Sequence, residues 1–262
     1  MSREKIRDAK RVVVKVGTST LTYENGKLNL RRIEQLVRVL ADLKNRGGEV
    51  ILVSSGAIGV GVGKLGLKHK PSITMEKQAA AAVGQCELMY LYDKIFSEYG
   101  YSTAQVLLTK DVIQNKERKQ NVVNTFITLL KMDVVPVVNE NDAVSVEEIE
   151  FGDNDTLSAV VATLTDSELL VILTDIDGLY SENPKENPDA TLISDVYQIT
   201  EDTKRIAGGA GSNRGTGGMI TKVMAAEIAC EAGINTAILD GADPKILYNL
   251  FDGENVGTVF HA

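Results

Sequence analysis

The chain has 262 residues, of which 44% are hydrophobic and 24% charged, with a formal net charge of −8. A chain of this length buries about three quarters of its unfolded surface, so it needs no disulfides for stability. The acidic balance argues against a nucleic-acid or anionic-membrane surface, and neither an apolar leader after Met1 nor an apolar run of membrane length is present, so a soluble cytoplasmic protein is expected.

In chain order, residues 12–16 form an apolar strand that carries Lys15 and runs into Gly17-Thr18-Ser19. A lysine in such a strand is costly unless it is paired or reaches a cleft. Either the strand lies at an edge and the lysine snorkels to water, or its place near the carboxyl end puts it where ligands bind in open α/β sheets. Residues 30–46 read as a helix, with Ile33, Leu36, Val37 and Leu40 on one face and Gly47-Gly48 as the stop. The next strand, 50–53, ends in Ser54-Ser55-Gly56-Ala57, whose small residues leave backbone donors able to hold a carboxylate. Gly61-Val62-Gly63-Lys64-Leu65-Gly66 formally fits a dinucleotide fingerprint, which would suit an NAD-dependent oxidoreductase. Its first glycine, however, falls well past the strand, and the Walker A phosphate loop fails at two positions.

Helices at 75–99 and 121–131 alternate with strands at 105–108 and 134–138. Cys86 and Cys230 lack metal-ligand spacing and read as reduced core thiols. After the strand at 134–138 come Asn139-Glu140-Asn141-Asp142, then a small hairpin over 143–151. Gly152-Asp153-Asn154-Asp155-Thr156 opens a helix through Leu157 and Val160. Ordinary turn and cap chemistry explains one such Asn/Asp cluster. Two of them supply amides and carboxylates beyond capping needs, and that mixture suits an amino acid.

Strand Leu169–Thr174 leads into Asp175-Ile176-Asp177-Gly178, which reads either as a plain turn or as ligand-facing chemistry. A Pro-, Asn- and Asp-rich excursion over 179–200 follows. Gly215-Thr216-Gly217-Gly218-Met219-Ile220-Thr221-Lys222 then opens a helix whose Ile220, Val223, Met224 and Ile228 repeat at helical spacing. A helix start is a ready anion site, and an anion there would turn an unfavourable first-turn lysine into a favourable one. Phosphate is the obvious candidate. A last strand spans 236–239. Apolar strands alternating with helices imply one domain over 1–262, an α/β three-layer αβα sandwich with a central, mostly parallel open sheet.

Six segments in this order carry a resemblance: Lys-Val-Gly-Thr-Ser, Ser-Ser-Gly-Ala-Ile, Asn-Glu-Asn-Asp-Ala-Val, Phe-Gly-Asp-Asn-Asp, Leu-Thr-Asp-x-x-Gly-Leu-Tyr and Gly-Thr-Gly-Gly-Met-x-Thr-Lys. Together, from Lys10 to the end of the chain, they resemble the amino acid kinase family. The pairing of the two Asn/Asp segments resembles the branch that phosphorylates glutamate rather than aspartate, carbamate or UMP. The resemblance implies transfer of the ATP γ-phosphoryl group to the γ-carboxylate of L-glutamate, with Mg²⁺, as the first step of proline synthesis.

On that resemblance about 1–165 binds glutamate and about 166–262 binds ATP. Lys15, Lys222 and Asp155 are the catalytic residues, Asp155 (or Asp153) holding the two lysines. Ser55, Gly56, Ala57, Asp142 and Asn154 bind glutamate. Lys15, Thr174, Asp175, Thr216, Gly217, Gly218, Met219, Ile220, Thr221 and Lys222 bind ATP. No side chains are assigned to a metal. The resemblance also implies proline as a feedback inhibitor, hand-over of a labile acyl phosphate to a reductase and a homo-oligomer. Many members continue into a C-terminal domain of RNA-binding type, which this sequence lacks.

The chemistry implied is physically reasonable. A glutamate side chain, with a pKa of about 4.3, is already ionised at neutral pH and needs no general base. Only His69 and His261 are present, neither in these clusters. The difficulty is bringing one anion to another, and positive charge on several sides addresses it.

Overall fold

A computed structural model describes residues 2–23, 26–69, 71–144, 154–208 and 218–262. Its strands are β1 (Arg11–Val16), β2 (Glu49–Ser54), β3 (Thr103–Leu108), β4 (Val135–Glu140), β5 (Leu169–Thr174), β6 (Asp195–Val196), β7 (Asn235–Asp240) and β8 (Thr258–Phe260). The helices are α1 (Ser2–Arg7), α2 (Thr18–Leu21), α3 (Leu30–Asn45), α4 (Ala57–Leu65), α5 (Thr74–Glu98), α6 (Lys110–Gln114), α7 (Lys116–Lys131), α8 (Asn154–Leu164), α9 (Glu201–Gly208), α10 (Met219–Glu231) and α11 (Ile246–Phe251).

The strands form one sheet in the order β3-β4-β2-β1-β5-β7-β8-β6. From β3 through β7 every pairing is parallel, β8 runs antiparallel to β7, and β6 pairs parallel with β8. This is the expected α/β sandwich with a mostly parallel sheet. Strand β1 is central, with β2 on one side and β5 on the other, so strand order reverses beside it. Clefts open at such a reversal, at the carboxyl ends of the strands. The central position of β1 removes the reading of Lys15 as an edge-strand residue.

Alternation along β1 sorts its side chains between two cores. Val12, Val14 and Val16 pack with Ile33, Leu36, Val37 and Leu40 of α3 and with Leu88, Tyr92 and Phe96 of α5. Val13 faces the other way, with Phe126 of α7, Leu157 and Val161 of α8, and Val223 and Ala226 of α10. Strand residues two apart share a face, so Lys15 points with Val13 towards α8 and α10. The α3 stripe predicted from the sequence is buried throughout.

Helix α7 starts at Lys116, five residues before the apolar period would place it, with the Asn115 side chain accepting from Arg118 N at 3.0 Å. Its opening Lys-Glu-Arg-Lys-Gln carries no apolar face, and of the helix only Phe126 and Leu130 are buried, so a cap alone marks the start. Strands β6 and β8, of two and three residues, are too short to leave a period-two signal. The excursion at 179–200 is tied back through β6 and a bridge between Tyr180 and Leu192. Of the hairpin expected over 143–151, only Ala143 and Val144 lie among the described residues.

The fingerprint glycines serve packing. Gly61 lies inside α4, where a Cβ would come within 1.8 Å of Ala80 O on α5. Gly84 of α5 is equally close to Ala57 O, again 1.8 Å from a would-be Cβ. No strand-to-helix turn is present at these positions, so the dinucleotide reading is corrected: the glycines let two helices touch backbone to backbone. That contact fixes Ala57, at the start of α4, against the cleft.

Candidate active site

Four strand ends and two helix starts converge here. Lys15 lies one residue before the end of β1, Ser54 ends β2, Glu140 ends β4 and Thr174 ends β5. Asn154 and Asp155 open α8, and Thr221 and Lys222 lie in the first turn of α10.

Asp155 is the charged centre. Its Oδ1 lies 2.6 Å from Lys15 Nζ and its Oδ2 lies 3.1 Å from Lys222 Nζ. The Thr221 hydroxyl reaches Oδ2 at 2.9 Å and shares its single proton with Gly218 O at 2.8 Å. Asp155 is 0% exposed, Lys222 4% and Lys15 7%. Burial by itself would raise the Asp155 carboxyl, but the nearby charges of Lys15 and Lys222, with their hydrogen bonds, overcome it and hold the group below the usual carboxylate range. Two ammonium groups thus share one carboxylate, and these three side chains together carry a positive charge in a nearly dry site. The anion that the first-turn position of Lys222 demanded is supplied, at least in part, by the chain itself.

One residue back along α8, Asn154 belongs to a neutral region. Successive helical residues diverge by about 100°, which turns Asn154 away from the lysines. Its Nδ2 donates to Asn139 Oδ1 at 2.8 Å and to Ser55 Oγ at 2.9 Å, with a longer 3.5 Å approach to Ser54 O. Asn139 Nδ2 donates to Gln85 Oε1 at 3.0 Å, and Gln85 Nε2 donates to Gln105 Oε1 at 3.2 Å. These groups border a cleft of about 410 Å³ lined by Ala57, Ala82, Gln85, Asn139 and Asp142, among others. Beneath it the Tyr92 hydroxyl meets Ser54 Oγ at 2.9 Å, and Ser54 in turn donates to Ser55 O at 3.2 Å. Burial pushes the Tyr92 phenol far up, against the lowering effect of the Ser54 bond, so it stays a neutral donor. Gly56 caps α4 at φ +100°, ψ 0°, a conformation open to glycine, and turns the chain from Ser55 into the helix.

On the far side of the lysines, Thr174 Oγ1 donates to Asp175 Oδ1 at 3.1 Å. A separate hollow of about 220 Å³ is lined by Leu179, Tyr180, Ile206, Gly208 and Met219, among others. Gly218 caps α10 in extended backbone with no side-chain bond, and Ile220 is half-buried in that helix's first turn. Thr216, Gly217 and Asp153 lie outside the described residues.

The structure therefore brings Lys15, Asp155 and Lys222 into one cluster and places Ser55, Ala57, Asp142 and Asn154 at or beside one cleft. Asn139, Gln85, Gln105 and Tyr92 escaped the sequence reading as site residues. Asn139 lies within the Asn-Glu-Asn-Asp run, but Gln85 had as its signal only a polar side chain after the run of small residues 79–84. Cys86, expected in the core, is exposed and lines the cleft, whereas Cys230 is partly buried and burial raises its thiol to about 11. Among the described residues no cluster of three or more His, Cys, Asp or Glu could hold a metal ion, and no helix is long and apolar enough to cross a membrane. His69 lines another groove and His261 pairs with Asp195 at 2.8 Å.

A family model for the amino acid kinase family matches residues 10–240. The glutamate 5-kinase of Clostridium perfringens is 56% identical over 264 residues, covering 99% of this chain and 98% of that protein. The glutamate 5-kinase of Enterococcus faecalis is 51% identical over 98% of this chain and 97% of its own. Among solved structures, carbamate kinase from Giardia lamblia bound to AMP-PNP superposes with a TM-score of 0.69 at 16% identity, covering 97% of this chain and 99% of that one. Isopentenyl phosphate kinase from T. acidophilum gives a TM-score of 0.66 at 18% identity, covering 96% and 100%. With its sheet order, its switch-point cleft and a match over most of its length, this chain belongs to the amino acid kinase family.

Proposed function

We propose that this protein transfers the γ-phosphoryl group of ATP to the γ-carboxylate of L-glutamate, giving L-glutamyl 5-phosphate. The observation that carries the reading is the convergence of Lys15 and Lys222, from two distant elements, on Asp155, beside a cleft lined with amides. Names borne by relatives at 51% and 56% identity add to it.

In this reading the buried lysines receive the phosphates and the charge that spreads over the transferred group, with Asp155 keeping both ammonium groups in place. Preorganised charge in a dry site lowers the barrier because it needs no reorganisation as the reaction proceeds. The acceptor carboxylate is already ionised, which agrees with a site built from lysines and amides and without histidine. Ser55, Gly56, Ala57, Asp142 and Asn154 hold glutamate, the carboxylate of Asp142 suiting its ammonium group. Thr174, Asp175 and the start of α10 (Gly218–Lys222, with Thr216 and Gly217 before it) hold the nucleotide, and the hollow beside Met219 suits an apolar base. The lobe assignment follows: about 1–165 for glutamate and about 166–262 for ATP.

Mg²⁺ would ride on the phosphate oxygens, keeping several waters and needing few protein ligands, and would neutralise phosphate charge. That fits a site whose most deeply buried carboxylate among the described residues, Asp155, is already taken by two lysines. As extensions of this reading, the labile acyl phosphate passes to a reductase in proline synthesis, proline inhibits at or over the glutamate site, and the protein works in the cytoplasm as a homo-oligomer.

The direct test is ATP-dependent formation of γ-glutamyl hydroxamate from glutamate and hydroxylamine. Turnover with another carboxylate or phosphate acceptor, and none with glutamate, would move the protein to a sibling activity. Proline titrated against glutamate should compete with it. Inhibition that saturating glutamate leaves untouched would remove the shared-site idea.

A further inference from the structure

The amides bordering the cleft are connected head to tail, and a single backbone group fixes their direction. Glu140 N donates to Asn139 Oδ1 at 2.9 Å. A backbone N–H can only donate, so the side-chain atom it meets must be the carbonyl oxygen of Asn139. The other end of Asn139 is then its NH₂, and the atom of Gln85 facing it at 3.0 Å must be Oε1. The NH₂ of Gln85 is thereby turned to Gln105 Oε1 at 3.2 Å. In the opposite direction, the same oxygen of Asn139 must receive the NH₂ of Asn154, at 2.8 Å. The second proton of that NH₂ goes to Ser55 Oγ at 2.9 Å. Ser55 Oγ is therefore an acceptor towards Asn154, and its own proton is left to donate elsewhere.

We infer that this relay sets the polarity of the acceptor site, and that Gln85, on α5, is a positioning residue for glutamate. The inference rests on the glutamate reading above and deepens it. The relay presents two opposite faces to a ligand: the Ser55 hydroxyl as a donor suited to a carboxylate, and Asn154 Oδ1 as an acceptor suited to an ammonium group. Gln85 keeps that polarity by giving the Asn139 NH₂ a fixed acceptor. Asn139 is almost wholly buried, so without that acceptor its NH₂ is left short of a partner and tilts towards water in the cleft. The tilt draws Oδ1 off Asn154 and frees the Asn154 amide to turn over. Aligned amides also polarise one another, so the loss is felt along the chain.

Gln85→Met and Gln85→Glu test this. Methionine keeps the length of the side chain and removes the acceptor. Glutamate keeps an oxygen facing Asn139, and Gln105 can turn over to donate to the other. In the hydroxamate assay Gln85→Met should raise the KM for glutamate about tenfold, the scale of one buried donor left unpaired. Its kcat and its KM for ATP should stay within about twofold. Gln85→Glu should recover most of the lost affinity. A KM for glutamate unchanged in Gln85→Met, equal impairment of both variants, or kcat and both KM values moving together would each overturn the inference while leaving the glutamate reading intact. A wild-type protein inactive towards glutamate would overturn that reading, and the inference with it.

Discussion

Asn154 and Asp155 are adjacent on one helix and belong to regions built on opposite principles. Around Asp155 charge dominates and is buried: a carboxylate and two ammonium groups within 3.1 Å, with the Thr221 hydroxyl beside them. Asn154 is instead tied into a relay of amides and a hydroxyl by bonds of 2.8 to 3.2 Å, with the carboxylate residues Glu140 and Asp142 lining the cleft beside it. The difference follows from what each region must do. Charge that develops on a phosphoryl group is stabilised best by fixed full charges. An amino acid that must be oriented, and released afterwards, is served by neutral dipoles with a definite direction. A single helical step of about 100° separates the two tasks.

The largest effect is expected where the charged region is unbalanced. Asp155→Asn leaves two buried ammonium groups without their shared carboxylate and should cost about 3–5 kcal/mol of stability, the usual scale for a broken buried ion pair; urea unfolding measures it. A cost under about 1 kcal/mol would mean that the cluster is far wetter than its geometry shows. The pH dependence has a definite sign. The folded-state pKa of Asp155 is lowered, so its contribution is fully present above the unfolded value of about 3.9 and is lost as pH falls through the folded value. The stability gap between wild type and Asp155→Asn should therefore be flat from about pH 5 to about pH 7 and shrink below about pH 4. A gap that widened in acid would contradict the assignment.

Next comes Lys222→Ala, with an expected fall in kcat of at least about a hundredfold, the scale for removing one preorganised charge-stabilising group. A fall of under threefold, with circular dichroism unchanged, would take Lys222 out of the chemistry. In the cleft, Asp142→Ala should raise the KM for glutamate about tenfold and spare the KM for ATP. The reverse pattern in steady-state kinetics would exchange the two lobes. The smallest effect sharpens the scaffold beneath the cleft. Gly61→Ala forces α4 off Ala80 of α5 and should lower stability by about 1–3 kcal/mol, as overpacking does. Nucleotide affinity, read by calorimetry on the folded fraction, should hold, whereas a dinucleotide site at Gly61 would require it to fall.

Much of this molecule was legible beforehand because its signals are local. The apolar runs of β1, β2 and β5, the stripe on α3 and the glycine-rich entry to α10 each betray themselves within a few residues. Lys15 stood out because a cation in an apolar strand must be answered by something. The start of α7 was hidden because capping by Asn115 leaves no hydrophobic period, and β6 and β8 were hidden because two or three residues cannot alternate visibly.

Sequence alone determined the parallel α/β class, the strand ends that carry chemistry, and two lysines in search of an anion. Tertiary structure alone decided that β1 is central, that Gly61 serves packing, and that Gln85 stands behind Asn139, and it supplied the geometry of the Lys15–Asp155–Lys222 contact that the resemblance had implied. The physical reason is range. Propensity and periodicity are written in neighbours along the chain, whereas an ion pair across 67 residues and an amide relay spanning α5, β3, β4 and α8 exist only once the sheet has assembled and fixed which ends lie side by side.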